Sequence, residues 1–223
     1  SVNEQRQLLR QAQERVYELN QRKQVLERMQ QEKSGFYAGV KSILLAAEQG
    51  QLIGIEGAVA QLLTIPNAYL IAFDTALGAS AQHIVVQTTE DAKRSIYHLK
   101  KMNKGRATFL PIDTMRPRVI PRAIADKLQT VEGFVGIASQ LASYDERYER
   151  VIQNLLGTTI VAQTIDDATT IAKMIHHKFK IVTLDGDVIY AGGSLSGGAR
   201  RNQYILGRWK HHQCKCESQR NNS

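Results

Sequence analysis

The chain has 223 residues, 43% hydrophobic and 22% charged, a balance that fits a folded protein and excludes a fibrous or disordered one. Its 29 Lys and Arg against 21 Asp and Glu give a formal net charge of +8. That excess is local: 16 basic against 15 acidic side chains lie in 34–199 but 6 against 1 in 200–223, so total charge is a poor argument for nucleic-acid binding by the body.

The first element reads as a polar helix with a narrow apolar seam. With Val2 at heptad position a, the a residues are Val2, Leu9, Val16, Lys23 and Gln30, and the d residues are Gln5, Ala12, Leu19, Leu26 and Lys33. Such a stripe on a Gln-, Glu- and Arg-rich rod is the coiled-coil pattern, with a solvent-exposed amphipathic helix as the plainer alternative. Ser34-Gly35 is expected to end the helix, making 1–34 an arm segment feeding a globular body.

From Gly35 onward the pattern changes to short apolar runs alternating with helical stretches, and it repeats. Gly57-Ala-Val-Ala-Gln61-Leu62 matches Gly136-Ile-Ala-Ser-Gln140-Leu141, Tyr69 matches Tyr148, and Leu77-Gly78 matches Leu156-Gly157. Ile84-Val-Val-Gln87-Thr88 through Ala92 lies over Ile160-Val-Ala-Gln163-Thr164 through Ala168. Thr108–Asp113 is expected to lie over Val182–Asp187. Each copy reads as a β-branched strand, a Thr N-cap with acids in the first helical turn, an amphipathic helix and a second strand. The body is thus expected to be α+β, two pseudo-twofold-related α/β subdomains at 35–113 and 131–207, joined by a Pro- and Arg-containing connector at 114–130. A repeat of this kind can pair copy one with copy two of a partner chain and close a ring.

Three local signals could carry function. Ala191-Gly192-Gly193-Ser194-Leu195-Ser196-Gly197-Gly198 lacks the spacing of a P-loop or dinucleotide turn, which leaves a flexible loop or a close backbone approach at a subunit contact. The preceding run Val188-Ile189-Tyr190 is expected to be an edge strand needing a partner. Nine basic residues between Lys93 and Arg122, against Asp113 alone, form either a solvated helix face or a phosphate-contacting surface. Catalytic signals are poor: His83, His98, His176 and His177 show no metal spacing, and Ser194 and Ser196 lack a nucleophile setting. Asp185-Gly186-Asp187 reads as a hairpin turn, and the crowded His211, His212, Cys214 and Cys216 make a weak zinc candidate. No metal, cofactor or catalytic residue is assigned. The longest charge-free apolar run, 57–73, is broken by Gln61, Thr64, Pro66 and Asn67 and is too short for a membrane span. With no signal pattern at the start and no cysteine in the body, a cytoplasmic location is expected.

Taken in order, Gly35-Phe-Tyr-Ala-Gly-Val-Lys41, Gly54-Ile-Glu-Gly-Ala-Val-Ala60, Ala76–Val86, Gly105-Arg-Ala-Thr-Phe-Leu-Pro111, Ile181–Asp187 and Gly192–Gly198 resemble the hinge of bacterial structural maintenance of chromosomes (SMC) proteins. The resemblance implies an SMC-hinge fold and a toroidal homodimer joining two coiled-coil arms, nucleoid-associated, with no chemistry of its own. ATP hydrolysis would reside in remote heads, where accessory condensin subunits bind. It places Gly192, Gly193, Gly197, Gly198, Lys93 and Thr169 at the dimer interface. It assigns salt-dependent DNA contact to Lys100 and to Arg200 and Arg201, to which the basic cluster adds Lys101 and Lys104. A stand-alone nucleic-acid-binding module with incidental dimerisation is the alternative. The segment 208–223 has no heptad where the family continues into a returning arm, and is expected to be non-native or disordered.

Overall fold

The computed structural model describes residues 2–199, with side chains except at 18 and over 21–36; Arg200, Arg201 and the tail at 208–223 lie outside the described residues. Helix α1 runs from Val2 to Glu48. The expected stop at Ser34-Gly35 is therefore corrected: one glycine costs a helix only about 1 kcal/mol relative to alanine, and downstream packing outweighs it. Val40, Ile43 and Ala46 supply that packing and are buried, while the seam residues Val2, Leu9, Val16 and Leu19 are 51–65% exposed. The body grips one end of the rod and leaves these four seam residues open.

The first half comprises β1 (Ile55–Ala58), α2 (Val59–Leu62), α3 (Leu70–Leu77), β2 (Ile84–Val86), α4 (Thr89–Met102) and β3 (Phe109–Pro111). After α5 (Arg122–Leu128) the second half repeats it with β4 (Phe134–Ile137), α6 (Ala138–Leu141), α7 (Glu149–Leu156), β5 (Ile160–Ala162), α8 (Ile165–Met174) and β6 (Ile181–Thr183). It then adds β7 (Val188–Ile189) and β8 (Leu195–Ser196). β1 and β2 are antiparallel with a bulge between Ile55 and Gly57, and β4 and β5 carry the matching bulge between Phe134 and Gly136. β2–β3 and β5–β6 are parallel, each pair linked across its helix.

One detail of the repeat is corrected. Ile84 faces Phe109 and Ile160 faces Ile181, so Leu110 corresponds to Val182 and not to Leu184. A slip of two residues keeps every side chain on its own face, which is why sequence alternation cannot detect it. The Asp185-Gly186-Asp187 hairpin has no counterpart in the first half, and matching Asp113 to Asp187 pulled the alignment two places along.

The halves meet on a pseudo-twofold axis. Thr64 and Ser143 lie at equivalent repeat positions, and their backbones exchange hydrogen bonds of 2.8 and 2.9 Å. Around this bridge Val59, Phe73 and Val85 from one half and Ala138, Ile152 and Val161 from the other form one shared core. Strand alternation does the sorting. Val85 points into the shared core, while Ile84 and Val86 point outward under α1 and α4. In the second half Val161 points inward, and Ile160 and Ala162 lie under α5 and α8.

Each half also holds the other through polar contacts. Lys180 Nζ donates to the Ala76 carbonyl in the last turn of α3 at 2.9 Å, and Thr75 Oγ1 donates to the Gly186 carbonyl at 3.2 Å. Burial pushes the Lys180 ammonium below the usual lysine range. Reciprocally, Asn154 Nδ2 of α7 donates to the Arg116 carbonyl of the connector at 2.8 Å.

Candidate functional site

The two equivalent helices α4 and α8 start in the same way. Thr88 Oγ1 accepts the Asp91 N–H at 3.1 Å, and Thr164 Oγ1 accepts that of Asp167 at 3.2 Å, satisfying donors that a helix start leaves free. Gly54 and Gly133 run directly over the Asp91 and Asp167 carboxyls, where a β-carbon would collide. Beyond this shared start the helices diverge. α4 has Lys93, paired at 3.4 Å with Glu90, and Arg94, paired at 3.1 Å with the buried Asp91. α8 has Thr169 and Thr170 at those positions, each donating its hydroxyl back to a helical carbonyl.

α4 ends in Lys100 and Lys101, cations at the helix end whose dipole favours them. Asn103 closes it in the left-handed conformation with φ of 50°, and the Lys104 N–H returns to the Leu99 carbonyl at 3.1 Å. The loop then carries Arg106 across α1 at Gly39, where a β-carbon would strike the Arg106 backbone. Lys100, Lys101 and Lys104 are all exposed, and the chain brings them together close to where α1 enters the body. Tyr97, 63% exposed, stands one turn before them.

The glycine-rich segment is a hairpin. Asp185-Gly186 makes the expected turn between β6 and β7, with the Gly186 N–H on the Thr183 carbonyl at 3.0 Å. The expectation that Val188-Ile189-Tyr190 is an open edge is corrected: β7 pairs with β6 on one side and β8 on the other. The short Leu195–Ser196 segment after the first glycine pair provides that partner, and the edge moves out to β8. Gly192 and Gly193 shape the turn with φ of +93° and +105°, and Gly192 and Gly198 face open space. Gly197 packs on the Asp187 side chain, whose Oδ1 accepts the Gly198 N–H at 3.2 Å. The sheet of the second half thus ends in β8 and that of the first in β3. Pro111, which has no N–H to donate, is tolerated at such an edge. Within one chain Lys93 lies on the first half and Thr169 and the four glycines on the second.

Two features escaped the sequence reading. Tyr148, buried, donates its hydroxyl to Glu56 Oε2 at 2.9 Å across the junction of the halves, and Gln87 Nε2 donates to Glu56 Oε1 at 3.1 Å. Burial first, then the bond to Glu56, push the Tyr148 phenol up to about 12. Arg147 stacks 5.2 Å from the Tyr148 ring centre and pairs with Asp145 at 3.1 Å. The repeat aligns Tyr148 with Tyr69 and Glu56 with Val135, and only that mismatch in the sequence could have signalled the contact. The second feature is an open groove of about 530 Å³ lined by Ile165, Asp185, Asp187, Leu195, Ser196, Gly197 and Gly198.

Among the described residues no helix is long and apolar enough to cross a membrane, and no group of three or more His, Cys, Asp or Glu is placed to hold a metal.

Comparison with known proteins accounts for this arrangement. Residues 52–172 match the family described as SMC proteins Flexible Hinge Domain. The chromosome partition protein Smc of Bacillus subtilis is 43% identical over 202 residues, covering 90% of this chain and 17% of the relative. The protein of the same name from Lactiplantibacillus plantarum is 38% identical over 181 residues, covering 81% of this chain and 15% of the relative. The chain therefore spans under a fifth of the length of these relatives. Among solved structures, the asymmetric dimer of the Geobacillus stearothermophilus SMC hinge domain superposes with a TM-score of 0.73 at 38% identity, covering 96% of this chain and 85% of that one. With the twice-used strand–helix–strand unit, the Gly-rich terminal hairpin and the helical arm all in place, this chain belongs to the SMC hinge family.

Proposed function

We propose that this chain is the homodimerisation hinge of an SMC-type chromosome-organising ATPase, joining two coiled-coil arms into a V or ring. The observation that carries the reading is the pair of unmatched sheet ends: β3 closes a three-stranded sheet and β8 a five-stranded one within the same chain. Free strand edges invite pairing, and a β8-to-β3 contact made twice about a twofold axis uses both of these edges in each chain. Gly192, Gly193, Gly197 and Gly198 support the reading because they shape the β8 hairpin, in which Gly192 and Gly198 face open space that a partner backbone could approach. Lys93 and Thr169 then flank the contact from opposite chains.

Light scattering on the chain should return twice 25.0 kDa. Gly192→Ala combined with Gly193→Ala should shift the equilibrium toward monomer by straining the turn that presents β8. A strict monomer at micromolar concentration, or a dimer indifferent to those substitutions, overturns the reading.

DNA contact is the secondary function, supported by the exposed Lys100, Lys101 and Lys104 beside the root of α1, with Arg200 and Arg201 added from sequence. Such binding is electrostatic and falls steeply with salt, and Lys100→Glu should lower both the affinity and the salt slope, the latter by about 1. Strong DNA affinity in a variant that no longer dimerises would favour the alternative, a nucleic-acid-binding module whose dimerisation is incidental. ATP hydrolysis, accessory subunits at the heads and a cytoplasmic, nucleoid-associated location belong to the whole protein in this reading.

A further inference from the structure

The strand proposed above as a dimer edge has little of its own to hold it in place. β8 is two residues long, and Leu195 and Ser196 are both exposed, so burial does not fix it. Its ladder to β7 consists of the pairs Val188–Ser196 and Ile189–Leu195. So short a ladder without apolar cover is marginal in water. What remains is a polar anchor at each end of β8, and both anchors come from elsewhere in the same half.

The entry anchor is His177. Among the described residues, the non-glycine positions with positive φ are Asn103, His176 and His177. Asn103 alone closes α4, whereas α8 is followed by two such residues in a row, with φ of 55° and 54°. Left-handed backbone is unfavourable for any residue with a β-carbon, less so for Asn, Asp and His, and it persists only where the surroundings hold it. Here the His177 N–H donates to the Ala172 carbonyl at 2.8 Å, which ties the turn to α8, where Ile171 and Ala172 are buried. The His177 carbonyl then accepts the Gly192 N–H, also at 2.8 Å. The imidazole lies against Gly193, 3.4 Å from where a β-carbon would stand.

The exit anchor is Asp187. Its N–H donates to Thr183 Oγ1 at 3.0 Å, its carbonyl accepts the Thr183 N–H at 2.9 Å, and Thr183 is buried, so β6 fixes the Asp187 backbone. The side chain reaches past the end of β8, where Oδ1 accepts the Gly198 N–H at 3.2 Å. Gly197 is bare on account of its own chain, because a β-carbon there would collide with this carboxylate.

We infer that His177 and Asp187 are positioning residues for the dimer contact, holding β8 at its two ends where a second copy can pair with it. The left-handed His176-His177 turn is kept because it aims the His177 carbonyl at Gly192. Both residues act through the glycine hairpin rather than on the partner. A strand held in its paired geometry has less freedom to lose on pairing, so loss of an anchor weakens dimerisation before it unfolds the chain. This inference rests on the dimer reading above and adds to it the residues that present the edge.

The test reads the dimer dissociation constant by analytical ultracentrifugation, with hydrogen exchange at the β5 amides checking that each variant is folded. His177→Val puts a β-branched residue where φ is positive and should weaken the dimer about tenfold. His177→Gly and His177→Asn accept that conformation, keep the carbonyl in place and should stay within about threefold of the starting chain. Asp187→Ala removes the acceptor and should weaken the dimer about tenfold, whereas Asp187→Asn keeps Oδ1 and should stay within about threefold. Rescue by Gly and Asn at 177 separates the carbonyl from the imidazole, and rescue by Asn at 187 separates the acceptor from a merely structural side chain. Dissociation constants that His177→Val and Asp187→Ala leave unmoved, or losses that the rescuing variants share in full, overturn this inference and leave dimerisation standing. A starting chain that stays monomeric overturns both.

Discussion

The first and second halves are built on one skeleton and use it for different ends. Both have a bulged antiparallel strand pair, a Thr-capped helix and a parallel third strand. The first half is near charge balance, with 7 basic and 6 acidic side chains, packs its sheet under α1 and stops at β3. The second is acidic, packs its sheet under α5 and α8 and extends to β8. Positions that look equivalent in sequence therefore carry unequal loads, and pairs of substitutions at them separate what the repeat requires from what each half added.

Gly78 and Gly157 give the largest expected contrast. Gly157 lies at φ of −68° with the connector's Arg118 carbonyl against it, so a β-carbon has no room. Gly78 has open space but sits at φ of +52°. Gly157→Ala should cost about 3 kcal/mol through forced displacement of the connector, and Gly78→Ala about 1–2 kcal/mol through backbone strain. Equal losses in denaturant titration would show that the two glycines do the same work. Tyr148 and Tyr69 come next. Tyr148→Phe removes the hydroxyl that donates to Glu56 Oε2 and should cost about 1–2 kcal/mol, while Tyr69→Phe should change stability by under about 0.5 kcal/mol. The pH dependence has a definite sign. The protonated phenol is favoured in the folded chain, so Tyr148 stabilises fully below pH 10 and loses that contribution as pH rises from 10 through about 12. A melting-temperature profile should fall over that window, and Tyr148→Phe should flatten it. The smallest expected contrast is between Thr88→Ala and Thr164→Ala. Each removes one N-cap and should cost about 1 kcal/mol, and clearly unequal losses would locate the asymmetry in the shared helix starts.

The repeat, the two Thr caps, the Asp185-Gly186 hairpin and the family were legible in the sequence because each rests on local chemistry: a β-branched run, a hydroxyl three residues ahead of an acid, a glycine that can take positive φ. The continuity of α1 through Gly35 was not, because local propensity marks a weak point while distant packing at Val40 and Ile43 decides. The pairing of β3 was misplaced by two residues, since alternation reports the face and not the register. At the candidate site the hairpin glycines and the lysines of α4 were visible as clusters. The open groove beside β8 was not, because a groove is a property of what lies around it in space.

The Thr64–Ser143 bridge has a consequence for stoichiometry. Two equivalent residues exchanging the same pair of hydrogen bonds is the isologous contact of a twofold homodimer, here made inside a single polypeptide. Covalent linkage fixes one copy of each half in every molecule, so neither has to serve as its own partner. That freed equivalent positions to diverge without breaking symmetry elsewhere. Glu56 could face Tyr148 while Val135 stayed apolar, and Lys93 could become a cation while Thr169 did not. A half-length ancestor dimerising with itself could have had neither difference. The asymmetry from which a directional contact with a second chain can be built follows from that fusion.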